Sequence, residues 1–288
     1  MNNEIIVNFT PTGLIPTKSQ SKYVPVSANE IIDDVLSACK IGITTVHLHA
    51  RNEDESPAYQ AEKYAPIIEG IRKYQKNLVI CVSLTGRNVT EFEKRTSPLH
   101  LTGNLKPDMG SLTLSSLNFN KQASMNSPQT IIDIASLMQK LSIKPELEAF
   151  DTGMINYAKY LIKKGCIKPP YFFNLILGNI ACAQANLLHT GMMINDLPEN
   201  SLFAIGGIGL NQLKMNSIAI SIGAGIRIGL EDNLWFDKDR TKLASNSDLL
   251  KRAKTIIEAN ESVIMTPETF RKKLNLKEGN GNYGENSV

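Results

Sequence analysis

The chain has 288 residues, 42% hydrophobic and 20% charged, the balance of a globular protein with one large core. Its formal charge of +3 comes from lysines and arginines scattered along the chain, so there is no basic stripe for nucleic acid. No apolar run approaches the roughly 20 residues that cross a bilayer, and Met1-Asn2-Asn3-Glu4 lacks the basic and apolar regions of a signal peptide, so no membrane partner and a cytoplasmic location are expected. Cys39, Cys81, Cys166 and Cys182 show no Cys-x-x-Cys spacing and read as reduced, buried thiols.

Residues 4–9 read as a short buried strand, halted by Thr10-Pro11-Thr12-Gly13. Ser27, with Glu30 three residues on, forms a capping box for a helix over residues 28–40. A strand through Thr44-Thr45-Val46-His47-Leu48-His49-Ala50-Arg51 comes next, then a polar turn and a helix over 60–76. A third strand covers 77–86, a short helix 90–95 and a fourth strand 108–117. Ser127-Pro128 opens a helix running to Leu141. Residues 144–151 alternate strictly, which puts Glu146 and Glu148 on one face, an unusual place for acids unless they have partners there. A helix over 154–164, strands over 171–177 and 201–208, a helix opening at Asn211 and a Gly-rich strand over 218–228 follow. A helix over 246–260 comes last, before a polar tail, 278–288, expected to have no fixed structure. Eight strands, most followed by a helical pattern, predict a single-domain (β/α)8 TIM barrel over residues 1–277, of the α/β class. The open doubly wound sheet is the alternative, but no Gly-x-Gly-x-x-Gly follows the first strand.

Side chains i and i+2 of a strand share a face, so His47 and His49 stand together, with Val46 and Leu48 buried behind them. Two neutral imidazoles so placed chelate a divalent metal once a carboxylate joins them; the plainer alternative is two histidines satisfied by hydrogen bonds in the sheet. Barrel active sites form at the C-terminal ends of the strands. Those ends carry His47, His49, Ser83, Thr85, Ser111, Glu148 and the run from Arg227 to Asp232. Glu231 is the natural third ligand, in a set that suits zinc or Fe(II). Structural alternatives remain open: a buried Glu148–Arg227 ion pair, and strand-end caps at Ser83 and Ser111. Arg87, beside Ser83, offers a planar fork for a carboxylate or is a solvent-facing loop residue.

Val46-His47-Leu48-His49-Ala50-Arg51, joined to Arg227-Ile228-Gly229-Leu230-Glu231-Asp232-Asn233, resembles the β-keto acid cleavage enzymes, the family of the 3-keto-5-aminohexanoate cleavage enzyme. Residues 106–112, 145–151 and 205–209 match as well, and the similarity runs unbroken over residues 4–275. The resemblance implies a zinc-dependent barrel, usually a homotetramer, that exchanges an acyl group between a β-keto acid and acetyl-CoA and releases acetoacetate and a new acyl-CoA. It implies zinc on His47, His49 and Glu231, a keto acid against Ser83, Gly86 and Ser111, and an acid–base group of Arg227, Asp232 and Glu148. Asp232 would take a proton from the acetyl-CoA methyl, and Ser111 would donate to the developing alkoxide. Two departures stand out. The amine-binding member has an acid two residues after its Thr-Gly, where Thr12-Gly13 is followed by Leu14-Ile15. The family's Gly-Gly is Gly86-Arg87. Both predict a keto acid whose far end is apolar or anionic rather than an amine, with Arg87 as the anion's reader. The rival readings are a non-haem Fe(II) enzyme on the same three ligands, an amidohydrolase, which needs further histidines on strands five and six, and a non-catalytic barrel that binds an acyl-CoA or organic acid.

Overall fold

The computed structural model describes residues 4–286. Eight parallel strands close on themselves: β1 (Val7–Phe9), β2 (Thr45–Leu48), β3 (Val79–Val82), β4 (Met109–Thr113), β5 (Lys144–Ala149), β6 (Tyr171–Leu177), β7 (Ser201–Gly207) and β8 (Gly225–Ile228). Each pairs with the next in chain order, and β8 returns to β1 through Arg227 opposite Asn8. This is the expected (β/α)8 barrel. Around it lie α1 (Ala28–Ile41), α2 (Ala61–Tyr74), α3 (Phe92–Thr96), α4 (Pro128–Lys140), α5 (Thr152–Lys163), α6 (Leu187–Asn195), α7 (Asn211–Ser221), α8 (Asn246–Ala259) and α9 (Pro267–Lys273).

Local chemistry starts most of these helices where the sequence indicates. Ser27 and Glu30 form the capping box of α1, and Ser127 caps α4 with Pro128 in its first turn. Asp151 accepts the Met154 N–H and starts α5 two residues earlier than expected. Residues 218–221, expected in a strand, complete α7 instead. Met215, Ala219 and Ile220 bury one face of that helix, and Gly223, at a φ of +73°, then turns the chain into a short β8. Neither α6 nor α9 was foreseen. The first exposes Leu187, Leu188 and Met192 while burying Thr190 and Met193, and the second has only seven residues, mostly polar.

α9 closes the barrel floor, where Phe270 packs edge-on against Phe172 of β6 at 5.0 Å. Val79, Met109 and Ala204 complete that apolar lower layer. The polar tail is a further correction over residues 278–286. Gly284 N–H donates to Asp108 at 3.0 Å, Tyr283 lies under the Arg72 guanidinium at 3.3 Å, and Glu285 pairs with buried Lys144 at 2.6 Å. The floor holds charges that need partners away from water, and the tail supplies them. Residues 287–288 lie outside the described part.

Candidate active site

β2 turns Val46 and Leu48 outward into the layer beneath the helices, so His47 points into the barrel. Its Nδ1 lies 2.5 Å from Oε2 of Glu146, an inward residue of β5. Glu146 also accepts from Asn8 at 2.8 Å and from the Cys81 thiol at 3.2 Å. With Nδ1 so engaged, His47 Nε2 turns up to His49 Nε2 at 3.3 Å. Glu231 brings Oε1 to 3.3 Å from that His49 nitrogen. Two glycines allow this approach. A Cβ on Gly13 would lie 2.6 Å from the Glu231 side chain, and one on Gly229, at a φ of +155°, would lie 2.0 Å from the Thr10 carbonyl oxygen.

The donor set fits a divalent cation. One ligand atom each from His47, His49 and Glu231 lies within 4.8 Å of the others, and Glu231 Oε2 is buried with no partner among the described residues. Glu146 behind His47 is the carboxylate that fixes the tautomer and orientation of a ligating imidazole. Burial disfavours charge on both rings. It keeps His49 below its ordinary range, whereas Glu146 and Glu231 overcome it at His47 and push that ring up to about 9. The field that draws a proton there would draw a metal ion equally. Burial likewise opposes a charged Glu231, but Arg227 and the two histidines hold its carboxyl well below the usual range.

Arg227 rises from β8 into the same space. It donates to Glu231 at 2.7 Å and to Asp232 at 2.9 Å, and its third nitrogen lies 3.7 Å from Glu148. Glu148 accepts the Thr113 hydroxyl through its other oxygen at 2.7 Å. Burial opposes the guanidinium charge, yet the surrounding carboxylates hold its pKa well above the ordinary value. Burial lifts Glu148 and Asp232 above theirs, and the charge on Glu231 lifts Asp232 further. Above these groups opens a cavity of about 240 Å³. Its lining is polar at His47, His49, Ser83, Glu148 and Asp232, and apolar at Leu14, Ile15, Phe119, Phe150 and Ile208.

This constellation is built from the residues that carried the resemblance, and residues 4–276 match the beta-keto acid cleavage enzyme family. The chain belongs to that family. It is 32% identical over 279 residues to the 3-keto-5-aminohexanoate cleavage enzyme of Fusobacterium nucleatum, covering 96% of this chain and all of that protein. It is also 32% identical, over 282 residues and 96% of each chain, to the 3-oxoadipate:acetyl-CoA acetyltransferase of Cupriavidus necator. Among solved structures, ObcA in ternary complex with a C4-CoA adduct and oxalate superposes with a TM-score of 0.80 at 18% identity. That match covers 90% of this chain and 68% of the ObcA chain, and it shows the shared fold.

In this β-keto acid cleavage enzyme two expected substrate contacts stand apart from the cavity wall. Ser111 Oγ accepts the Leu84 N–H at 3.0 Å, which ties β4 to the loop after β3. Gly86 lets that loop touch the Leu117–Ser124 hairpin, for a Cβ there would lie 2.2 Å from the Met125 carbonyl oxygen. Arg87 does border the cavity. Of the two remaining histidines, His100 is exposed and His189 Nδ1 accepts the Gln184 N–H on the surface, so the amidohydrolase set is not assembled. The residues that sequence reasoning left without a role are Glu146, Thr113 and Phe119. The Glu-x-Glu alternation had placed Glu146 inward, but not under His47. Nothing in the sequence signals the other two.

Proposed function

We propose that this β-keto acid cleavage enzyme transfers an acyl group between a β-keto acid and acetyl-CoA, giving acetoacetate and a new acyl-CoA, with zinc held by His47, His49 and Glu231. The observation that carries the reading is the convergence of those three ligands, with Glu231 tied to Asp232 through the Arg227 guanidinium they share. The names of the relatives support both the β-keto acid and the CoA thioester. When bound, the metal supplies Lewis acidity to the oxygens of the keto acid.

Atom balance decides which proton moves. Acetoacetate contains the acetyl group of acetyl-CoA joined to C1 and C2 of the keto acid. The new bond therefore runs from C2 to the thioester carbonyl, and C2 is the carbon that loses a proton. Removing the acetyl-CoA methyl proton instead, and adding that carbon to the ketone, would release acetate. Asp232 is the base for C2, with a proton affinity raised by burial and by Glu231 toward the working pH. The CoA thiolate set free then adds to the original ketone carbon, the C2–C3 bond breaks, and Asp232 returns its proton to C2 of acetoacetate. Arg227 keeps Asp232 aimed, and Glu148, tied to Thr113, braces the guanidinium from the far side.

The exposed apolar residues Ile180, Leu187, Leu188 and Met192 in and before α6 support a homo-oligomer, in keeping with a tetramer. The deciding experiment follows the C2 protons of a 3-keto acid by NMR in D2O. With zinc and no acetyl-CoA, enzyme should accelerate exchange above the enzyme-free rate, and Asp232→Asn should not. Acetoacetate should appear only when acetyl-CoA is added. Cleavage at a rate indifferent to acetyl-CoA would remove the acyl-exchange reading.

A further inference from the structure

Arg87 brings to the cavity a charge that the chemistry above does not use. Its guanidinium carbon sits 3.4 Å from the centre of the Phe119 ring, and Phe119 is braced edge-on by Phe150 at 5.8 Å. Stacking covers the flat face of a guanidinium and leaves its rim of N–H donors free. Other buried arginines spend those donors on protein acceptors. Arg51 donates to the carbonyls of Gly13, Pro16 and Glu55, and Arg95 to Leu84, Met125 and Asn126. Arg72 and Arg271 share Asp108, although Arg72 Nε is without a partner among the described residues. Arg87 Nε is buried with no partner among the described residues. Glu231, Glu148 and Asp232 act on it only through space, and each is already engaged by Arg227. Arg87 is half-buried, and a buried N–H without a partner costs free energy until an acceptor arrives. Leu14 and Ile15, which also line the cavity, offer no charge to a substrate.

We propose that Arg87 anchors a carboxylate of the keto acid, its N–H fork closing on both oxygens while Phe119 holds its plane. The proposal rests on reading the cavity as a keto-acid site. The carboxylate has two sources, the one every β-keto acid carries and a second at the far end of a 3-ketodicarboxylate. The test compares 3-ketoadipate with 3-ketohexanoate, six-carbon acids that differ at the terminus. Each is titrated by calorimetry into zinc-loaded protein without acetyl-CoA, and kcat/KM is then measured with it. Arg87→Leu should weaken keto-acid binding by roughly tenfold or more, the loss expected for charge-assisted hydrogen bonds, and Arg87→Lys should recover part of it. A loss concentrated on 3-ketoadipate assigns the terminal carboxylate, and equal losses on both acids assign the shared one. Phe119→Leu, which keeps the charge and frees the plane, should give a smaller loss. If Arg87→Leu melts early, Arg87→Gln carries the same comparison. Unaltered binding of both acids in a folded variant overturns the proposal, as does a rise confined to the KM for acetyl-CoA, which would assign Arg87 to a CoA phosphate. Parent enzyme that turns over both acids without dependence on Arg87 overturns this inference alone, and parent enzyme that binds neither acid overturns the keto-acid reading with it.

Discussion

Glu146 sets the ring of His47, and through it the geometry of the ligand set. Burial opposes its charge, but His47 holds its carboxyl down at about 2, so it remains a carboxylate that accepts from Nδ1 and leaves Nε2 to serve the proposed zinc. Glu146→Gln keeps the size and removes the charge. It should weaken zinc binding by about 10–100-fold, the usual cost of losing the partner behind a ligating histidine. Competition with a chromophoric chelator measures this, and unchanged affinity would reduce Glu146 to a barrel filler. His47→Ala and Glu231→Gln should go further and lose stoichiometric metal on dialysis, with the circular dichroism of a folded barrel retained.

The loop after β8 and the α1–α8 contact show what whole elements contribute. Gly229 lets the chain pass over Thr10 so that Glu231 and Asp232 face the cavity. Gly229→Ala must move that loop, and the expected result is a lower Tm together with loss of bound zinc; zinc retention with an unchanged Tm would show the loop to be pliable. Asp34 of α1 is half-buried against Asn246 of α8 and accepts its amide at 2.5 Å. Burial lifts Asp34 to about 6, although Asn246 and Lys18 pull it down. An acid whose folded pKa lies above its unfolded value is no burden while protonated and destabilises as pH rises between the two, here from the model-peptide value of 3.8 up to about 6. Asp34→Asn should therefore gain at most about 3 kcal/mol at pH 7.5 and nothing at pH 3.5. Urea denaturation at the two pH values reads the difference, and an equal effect at both would dismiss ionisation as the cause.

At the level of the whole chain, the C-terminal segment seals the barrel opposite the active site. Lys144 stands at the start of β5 with 1% of its side chain exposed, and Glu285 is its ion-pair partner. Glu285→Ala leaves that cation with only the Lys168 carbonyl at 3.2 Å and should cost about 2–4 kcal/mol, toward the low end for a broken buried pair because that acceptor remains and Glu285 keeps some contact with water. Chemical denaturation measures it, and a loss under about 0.5 kcal/mol, the range of ordinary surface changes, would mean that water reaches Lys144. On the outer surface, Leu188 is 70% exposed on α6. Leu188→Lys should lower the mass found by light scattering if that face joins subunits, and an unchanged oligomer would place the contact elsewhere.

The barrel was legible because its signals are local. Alternating strands and capped helices recur along the chain, and His-x-His places two imidazoles on one face whatever surrounds them. The triad of His47, His49 and Glu231 was legible through spacing and resemblance together. The chain could not reveal what depends on which inward residues share a layer, since layers are set by the tilt and register of strands far apart in sequence. Glu146 lies under His47 across 99 residues, Ser111 reaches up to Leu84 instead of into the cavity, and Phe119 arrives on a hairpin to stack on Arg87. The tail misled for the same reason. Its residues are polar and look free, but the charges they satisfy, Asp108 and Lys144, come together only once the barrel has closed.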